Sequence, residues 1–112
     1  YLGPLTIEDL KKRYARANEK YNDTDLQPYM DRHNAISLIN SMPAEEVKKV
    51  RWFIDCGDDD FLYEGNSLVH IAMRKKEIPH EFRIRDGRHS WTYWRESLPV
   101  VLSFVSDAFH QY

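Results

Sequence analysis

The sequence predicts an α/β fold, with a helical segment over residues 1–49 and a βαβα unit over residues 50–112. Three observations carry this reading. The stretch Val50–Cys56 concentrates β-branched and aromatic residues and stops at Gly57. The stretch His80–Arg85 alternates apolar with charged residues. Between these two stretches, and after the second, apolar residues recur at helical spacing. A strand, a helix and a strand in so short a span form a βαβ unit, whose strands run parallel with a right-handed crossover.

The first helix opens at Thr6, a good N-cap, with Asp9 three residues on as in a capping box and Leu5 able to staple to Leu10. Ile7, Leu10, Tyr14, Ala17 and Tyr21 follow at helical spacing, while Lys11, Lys12, Arg13 and Arg16 fall outside that stripe as a solvated face. Turn-forming residues from Asn22 to Asp25 are expected to end the helix. Leu26–Asn34 shows no usable period and reads as loop. Asn34–Met42 carries Ile36, Leu38, Ile39 and Met42, a short helix, and Pro43 with Ala44-Glu45-Glu46 begins another turn that Lys48-Lys49 ends.

Val50–Cys56 then reads as a strand buried on both faces. After the acidic run Asp58-Asp59-Asp60, a helix ending near Lys76 places Leu68, Val69, Ala72 and Met73 on one face, and Pro79 stops it. In the second strand Phe82 and Ile84 are expected to point inward and Arg83 and Arg85 outward, which suits a sheet edge. Asp86-Gly87 turns the chain. The last helical segment, Trp91 to Phe109, has the stripe Trp91, Trp94, Leu98, Val101, Leu102, Val105 and Phe109. Pro99 inside it predicts a kink or a fresh helix start.

Two strands make a marginal sheet, so the remaining strands are expected outside these residues. Tyr1 stands where an initiator Met is expected, and Tyr1-Leu2-Gly3-Pro4 reads as a turn in mid-chain. The chain is therefore expected to be a processed form or a fragment. Its exposed sheet edge would favour self-association or retention of a missing N-terminal half as partner.

Composition narrows the function classes. A length of 112 residues bounds one modest domain. Sixteen Lys and Arg against eighteen Asp and Glu give a charge of −2, which argues against a nucleic-acid partner. Apolar runs such as Val100-Val101-Leu102 are too short to cross a membrane. The single cysteine, Cys56, excludes an internal disulfide and a cysteine-based zinc site, and reads as a small buried hydrophobe. The compartment stays open.

Functional groups of an open α/β sheet gather in the loops at the carboxyl ends of its strands. Two such loops exist, Gly57–Leu62 and Asp86–Trp91. If the strands are neighbours, a carboxylate of the first can reach His89 in the second. Such a bond fixes the imidazole tautomer and leaves the other ring nitrogen as general base. Asp58, Asp59 and Asp60 all compete for that role, with Asp55 a poorer choice inside the strand. The aspartate run does not follow a calcium-loop pattern, and His33, His70, His80 and His110 have no metal-ligand spacing, so neither metal nor cofactor is expected. Trp91, Tyr93 and Trp94 are candidates to line a substrate pocket, with the alternative that Trp91 and Trp94 belong to the core stripe of the last helix.

The stretch Ile54-Asp55-Cys56-Gly57-Asp58-Asp59-Asp60-Phe61-Leu62-Tyr63 resembles the acid-bearing turn of an esterase family of α/β-hydrolases. That family includes feruloyl and acetyl-xylan esterases, S-formylglutathione hydrolases and enterochelin esterases. Asp86-Gly87-Arg88-His89-Ser90-Trp91-Thr92-Tyr93-Trp94 is similar to the family's Asp-Gly, one residue, His, one residue, Trp, two residues, Trp. The resemblance runs from about Val50 to Phe104, and the N-terminal half is only loosely similar to the helical segment that precedes the acid strand. It implies Asp60 as the acid and His89 as the catalytic histidine; Trp91 and Tyr93, from their aromatic character beside that loop, are the expected substrate-binding residues. The resemblance also implies hydrolysis of a small-molecule or carbohydrate-linked carboxylic ester through an acyl-serine intermediate, without cofactor.

The family's Gly-x-Ser-x-Gly nucleophile motif is missing. Gly65-Asn66-Ser67-Leu68-Val69 lacks the second glycine and follows the acid, and none of the seven serines is a credible nucleophile. The expectation is the C-terminal portion of an α/β-hydrolase parallel sheet, inactive by itself. The missing N-terminal half would supply serine, oxyanion hole and central strands. The competing expectation is a small non-catalytic α/β binding module in which Asp60 and His89 are structural.

Overall fold

A computed structural model describes residues 6–13 and 23–110. Helix α1 (Ile7–Arg13) starts on the expected capping box: the Asp9 amide donates to Thr6 Oγ1 at 3.1 Å, and that hydroxyl donates to the Asp9 carboxylate at 2.9 Å. The staple residue Leu5, the stripe positions Tyr14, Ala17 and Tyr21, and Arg16 lie outside the described residues.

The expected turn and loop over 22–34 is instead helix α2 (Asp23–His33). Leu26 and Met30, four residues apart, share one face and bury against Leu10 of α1. Two apolar residues are too few to show a period, and the exposed Pro28 between them disguises the helix. Tertiary packing decides the segment here. Helices α3 (Ala35–Ser41) and α4 (Ala44–Val47) follow as expected. Asn34 caps α3, its side-chain oxygen accepting from the amides of Ile36 at 3.0 Å and Ser37 at 3.2 Å.

Strand β1 (Phe53–Gly57), helix α5 (Tyr63–Lys75), strand β2 (Glu81–Arg85) and helix α6 (Trp91–Phe109) form the βαβα unit. The strands pair in parallel with Phe53 opposite Glu81 and Gly57 opposite Arg85, so their carboxyl ends are level. Among the described residues these two strands are the whole sheet. Successive β1 side chains point to opposite faces. Ile54 packs on the core of Ile39, Val47, Val69, Ala72, Met73 and Ile78. On the other face, Phe53 meets Phe104 of α6 with centroids 5.3 Å apart. Lys76, just past α5, ties the helical segment on by donating to the carbonyls of Ile39, Asn40 and Met42, which neutralises the exposed end of α3.

Three expectations need correction. Full burial along β1 holds only at Cys56 and Gly57, while Phe53, Ile54 and Asp55 are half-buried. In β2 the inward and outward assignments partly reverse. Ile84 is 43% exposed, since α5 lies over β1 and reaches β2 through His70, whose ring stacks on Phe82 at 4.3 Å. Arg85 turns in to Asp55 at 2.8 Å. Finally, α6 is one helix through Pro99 with no restart there, and its predicted core stripe is largely exposed. Leu98, Leu102 and Phe109 are each half or more in solvent, while Tyr93 and Ser97 are the helix's buried residues.

The entry to β2 carries a pair of histidines. The Ile78 carbonyl can only accept, so His80 Nδ1 donates to it at 2.8 Å, and His80 Nε2 accepts from His70 Nδ1 at 2.7 Å. Burial first, then the neighbouring His80 and Arg74, hold the His70 pKa below its ordinary 6.5. The folded chain thus binds this proton less readily than the unfolded one. Stability is full above about the ordinary value and falls as pH drops below it, levelling off once the folded-state value is passed. Urea unfolding at a series of pH values should show this acid-side loss, and His70→Phe should flatten it. An unchanged slope in that variant would assign the loss to other groups.

Candidate active site

The level ends of β1 and β2 place two loops side by side. Backbone bonds lace them together: the Asp58 amide donates to the Arg85 carbonyl at 2.9 Å and the Asp59 amide to the Gly87 carbonyl at 2.9 Å. The Gly87 amide donates to Asp58 Oδ1 at 3.0 Å in return. Glycine is needed at both crossing points. A Cβ on Gly57 would sit 2.3 Å from the Gly87 carbonyl oxygen. Gly87 has a φ of +144°, and a Cβ there would sit 2.6 Å from the Tyr93 ring.

That lacing sets Asp60 against His89. Asp60, 6% exposed, accepts from the Leu62 amide at 2.8 Å through one oxygen and meets His89 Nδ1 at 2.9 Å through the other. An ionised carboxylate only accepts, so Nδ1 carries the proton and Nε2 is left as a base on an exposed ring. Phe61 lies 5.0 Å from the imidazole, and Trp94 approaches it edge-on at 4.8 Å with Trp91 5.2 Å beyond. Aromatic contact and the hydrogen bond together limit the ring's rotation.

The other aspartates separate by role. Asp58 ties the loops, and with Asp59 and Asp86 forms an exposed acidic group whose carboxylate oxygens lie within 4.8 Å of one another. Asp55 stays in the strand and accepts from the Tyr93 hydroxyl and from Arg85. Cys56 is buried and donates to the Gly57 carbonyl. Burial, then Asp60 and Asp55, push its pKa up to about 11, so it stays a thiol.

Trp91 and Tyr93, the two expected substrate-binding residues, part company. Trp91 is 72% exposed at the mouth of the loops. Tyr93 is 4% exposed, its hydroxyl donating to Asp55 and its ring lying against Gly87. Phe61 is a neighbour of the imidazole that residue chemistry alone does not single out; its position directly after the acid is the signal that points to it. Ser90, the serine beside His89 in the chain, caps α6 by accepting from the Tyr93 amide. Ser67 donates to the Tyr63 carbonyl at 2.7 Å on α5.

No protein-family model and no curated protein matches this sequence. Among solved structures, the chain is similar to a ferulic acid esterase, with 40% sequence identity and a TM-score of 0.60 over 62% of this chain. The chain spans 28% of the length of that esterase. This likeness supports an esterase-like fold, the mixed helix-and-strand chain with its small parallel sheet corresponding to one portion of such an enzyme.

Proposed function

We propose that this chain is the acid- and histidine-bearing part of a serine carboxylic-ester hydrolase. The observation that carries the reading is the 2.9 Å bond from His89 Nδ1 to the buried Asp60 carboxylate, in loops at the carboxyl ends of adjacent parallel strands. The likeness to a ferulic acid esterase adds support. In this reading His89 Nε2 takes the proton of a serine hydroxyl as that oxygen attacks the ester carbonyl. It then delivers the proton to the departing alcohol, and water repeats the sequence on the acyl-serine. Asp60 keeps Nδ1 protonated and stabilises the imidazolium.

In this reading serine, oxyanion donors and central strands come from a segment outside these residues, which would pack on the edge of β1 that no described strand covers and on the apolar stripe of α6. A self-contained binding module would also expose an apolar stripe such as Leu98, Leu102 and Phe109, so the Asp60–His89 bond, not that stripe, favours the esterase reading. The substrate class is a small-molecule or carbohydrate-linked ester. The neighbour's name points to ferulic acid esters, and the aromatic surface of Phe61, Trp91 and Trp94 beside His89 suits a flat acyl group.

The test is a fluorophosphonate probe, which labels activated serines, read by intact mass on material purified from its native source. The 112-residue chain alone should gain no adduct. A longer or associated species containing it should gain one, and His89→Ala should suppress that labelling. Labelling indifferent to His89→Ala, or a lone 13.4 kDa species that folds cooperatively and never carries a reactive serine, would overturn the proposal.

A further inference from the structure

We propose that Tyr93 is a positioning residue for the Asp60–His89 pair, acting through Gly87 and Asp55; the inference rests on the esterase reading of that pair. Tyr93 never reaches the loop surface, yet it touches the backbone that does. Its ring lies against Gly87, where a Cβ would come within 2.6 Å of Cδ2, and Gly87 in turn lies against Gly57. The three form a stack that runs from α6 through the histidine loop to the end of β1.

The hydroxyl holds the other end of the ring. It donates to Asp55 Oδ1, and Asp55 Oδ2 accepts from Arg85 at 2.8 Å. The Arg85 guanidinium lies 4.9 Å from the Tyr93 ring centroid and donates to Ser97, whose own hydroxyl donates back to the Tyr93 carbonyl at 3.0 Å. Burial, then the Asp55 carboxylate, raise the phenol to about 12, so it remains a donor. One network thus joins β1, β2 and the first turns of α6. Tyr93 follows His89 by four residues and Asp55 precedes Asp60 by five, so the network closes a loop around the pair.

A core that needed only to be filled would take phenylalanine here. Desolvating a carboxylate and a guanidinium is costly, and a fully satisfied polar network returns directional constraint more than stability. The constraint falls on Gly87, two residues from His89. If the ring slides, the histidine loop moves with it, and a charge-assisted bond at 2.9 Å weakens quickly with distance and angle.

The test is the tautomer of His89, read from long-range ¹H–¹⁵N spectra of the full chain labelled at histidine. Wild type should show Nδ1–H. In Tyr93→Phe the ratio of Nδ1–H to Nε2–H should fall by roughly tenfold, the scale of one charge-assisted hydrogen bond, with the far-ultraviolet dichroism unchanged. Tyr63→Phe, at an exposed tyrosine, should leave the ratio as it was. Asp60→Ala separates the two readings. A wild-type tautomer that survives Asp60→Ala sinks the esterase reading of the pair itself. A tautomer lost in Asp60→Ala but kept in Tyr93→Phe sinks only the positioning role, even if melting temperature drops. Should Tyr93→Phe fail to fold, Ser97→Ala removes one partner of Arg85, and a ratio unmoved there would overturn the inference equally.

Discussion

On the proposed esterase reading, replacing His89 by Ala in a polypeptide that carries both this chain and a nucleophilic serine should lower kcat by at least about 10⁴-fold with KM little changed. No other side chain of the two loops offers an imidazole: besides Asp60 they carry the carboxyl groups of Asp58, Asp59 and Asp86, the Arg88 guanidinium, the Ser90 hydroxyl that caps α6, and apolar and aromatic groups. Asp60→Asn should lose about 10⁴-fold as well, for a different reason. Without a carboxylate on Nδ1, the imidazole can turn its Nε2–H towards the serine and so presents a donor where a base is needed. The two variants together should lose little more than His89→Ala alone, because in the proposed mechanism the residues act as a unit. Steady-state kinetics on an aryl acetate would check both, and independent, multiplying effects would contradict the pairing.

That a carboxylate of the first loop meets His89 is legible because it follows from topology, whereas the choice of Asp60 among three consecutive aspartates comes from the family resemblance. Two strands joined by one helix must lie parallel, and adjacent parallel strands end at the same side of the sheet. Little more than Gly57 and Asp86-Gly87 was needed to find the ends. What the sequence hid depends on partners far along the chain. Asp55 reads as a spare acid until Tyr93, 38 positions on, takes its oxygen. Arg85 reads as an outward strand residue for the same reason. The α6 stripe reads as core because periodicity reports which face is apolar and says nothing about what covers it. Helix α2 leaves little local signal because burial against Leu10, more than any propensity, holds Leu26 and Met30 in a helix.

Gly57→Ala is expected to destabilise the fold by about 3 kcal/mol or more, the upper range for overpacking a site that cannot yield. At an ordinary strand glycine the same change would be neutral or stabilising, since alanine reduces the freedom of the unfolded chain. Here the added carbon would meet the Gly87 oxygen at 2.3 Å, its carbonyl carbon at 2.6 Å and the Arg88 nitrogen at 3.1 Å. All three are backbone atoms, so no rotamer change relieves the clash. The histidine loop must move, and its tether from the Asp59 amide to the Gly87 carbonyl would be the first bond stretched. Relief in the opposite direction is closed, because Gly87 already rests on Tyr93, whose hydroxyl is fixed to Asp55. Urea unfolding monitored by tryptophan fluorescence would read the loss, with Trp94 also reporting on the His89 contact. A midpoint unchanged or raised in Gly57→Ala would mean that the two loops are not in contact as described, and the 2.9 Å approach of Asp60 to His89 would fall with them.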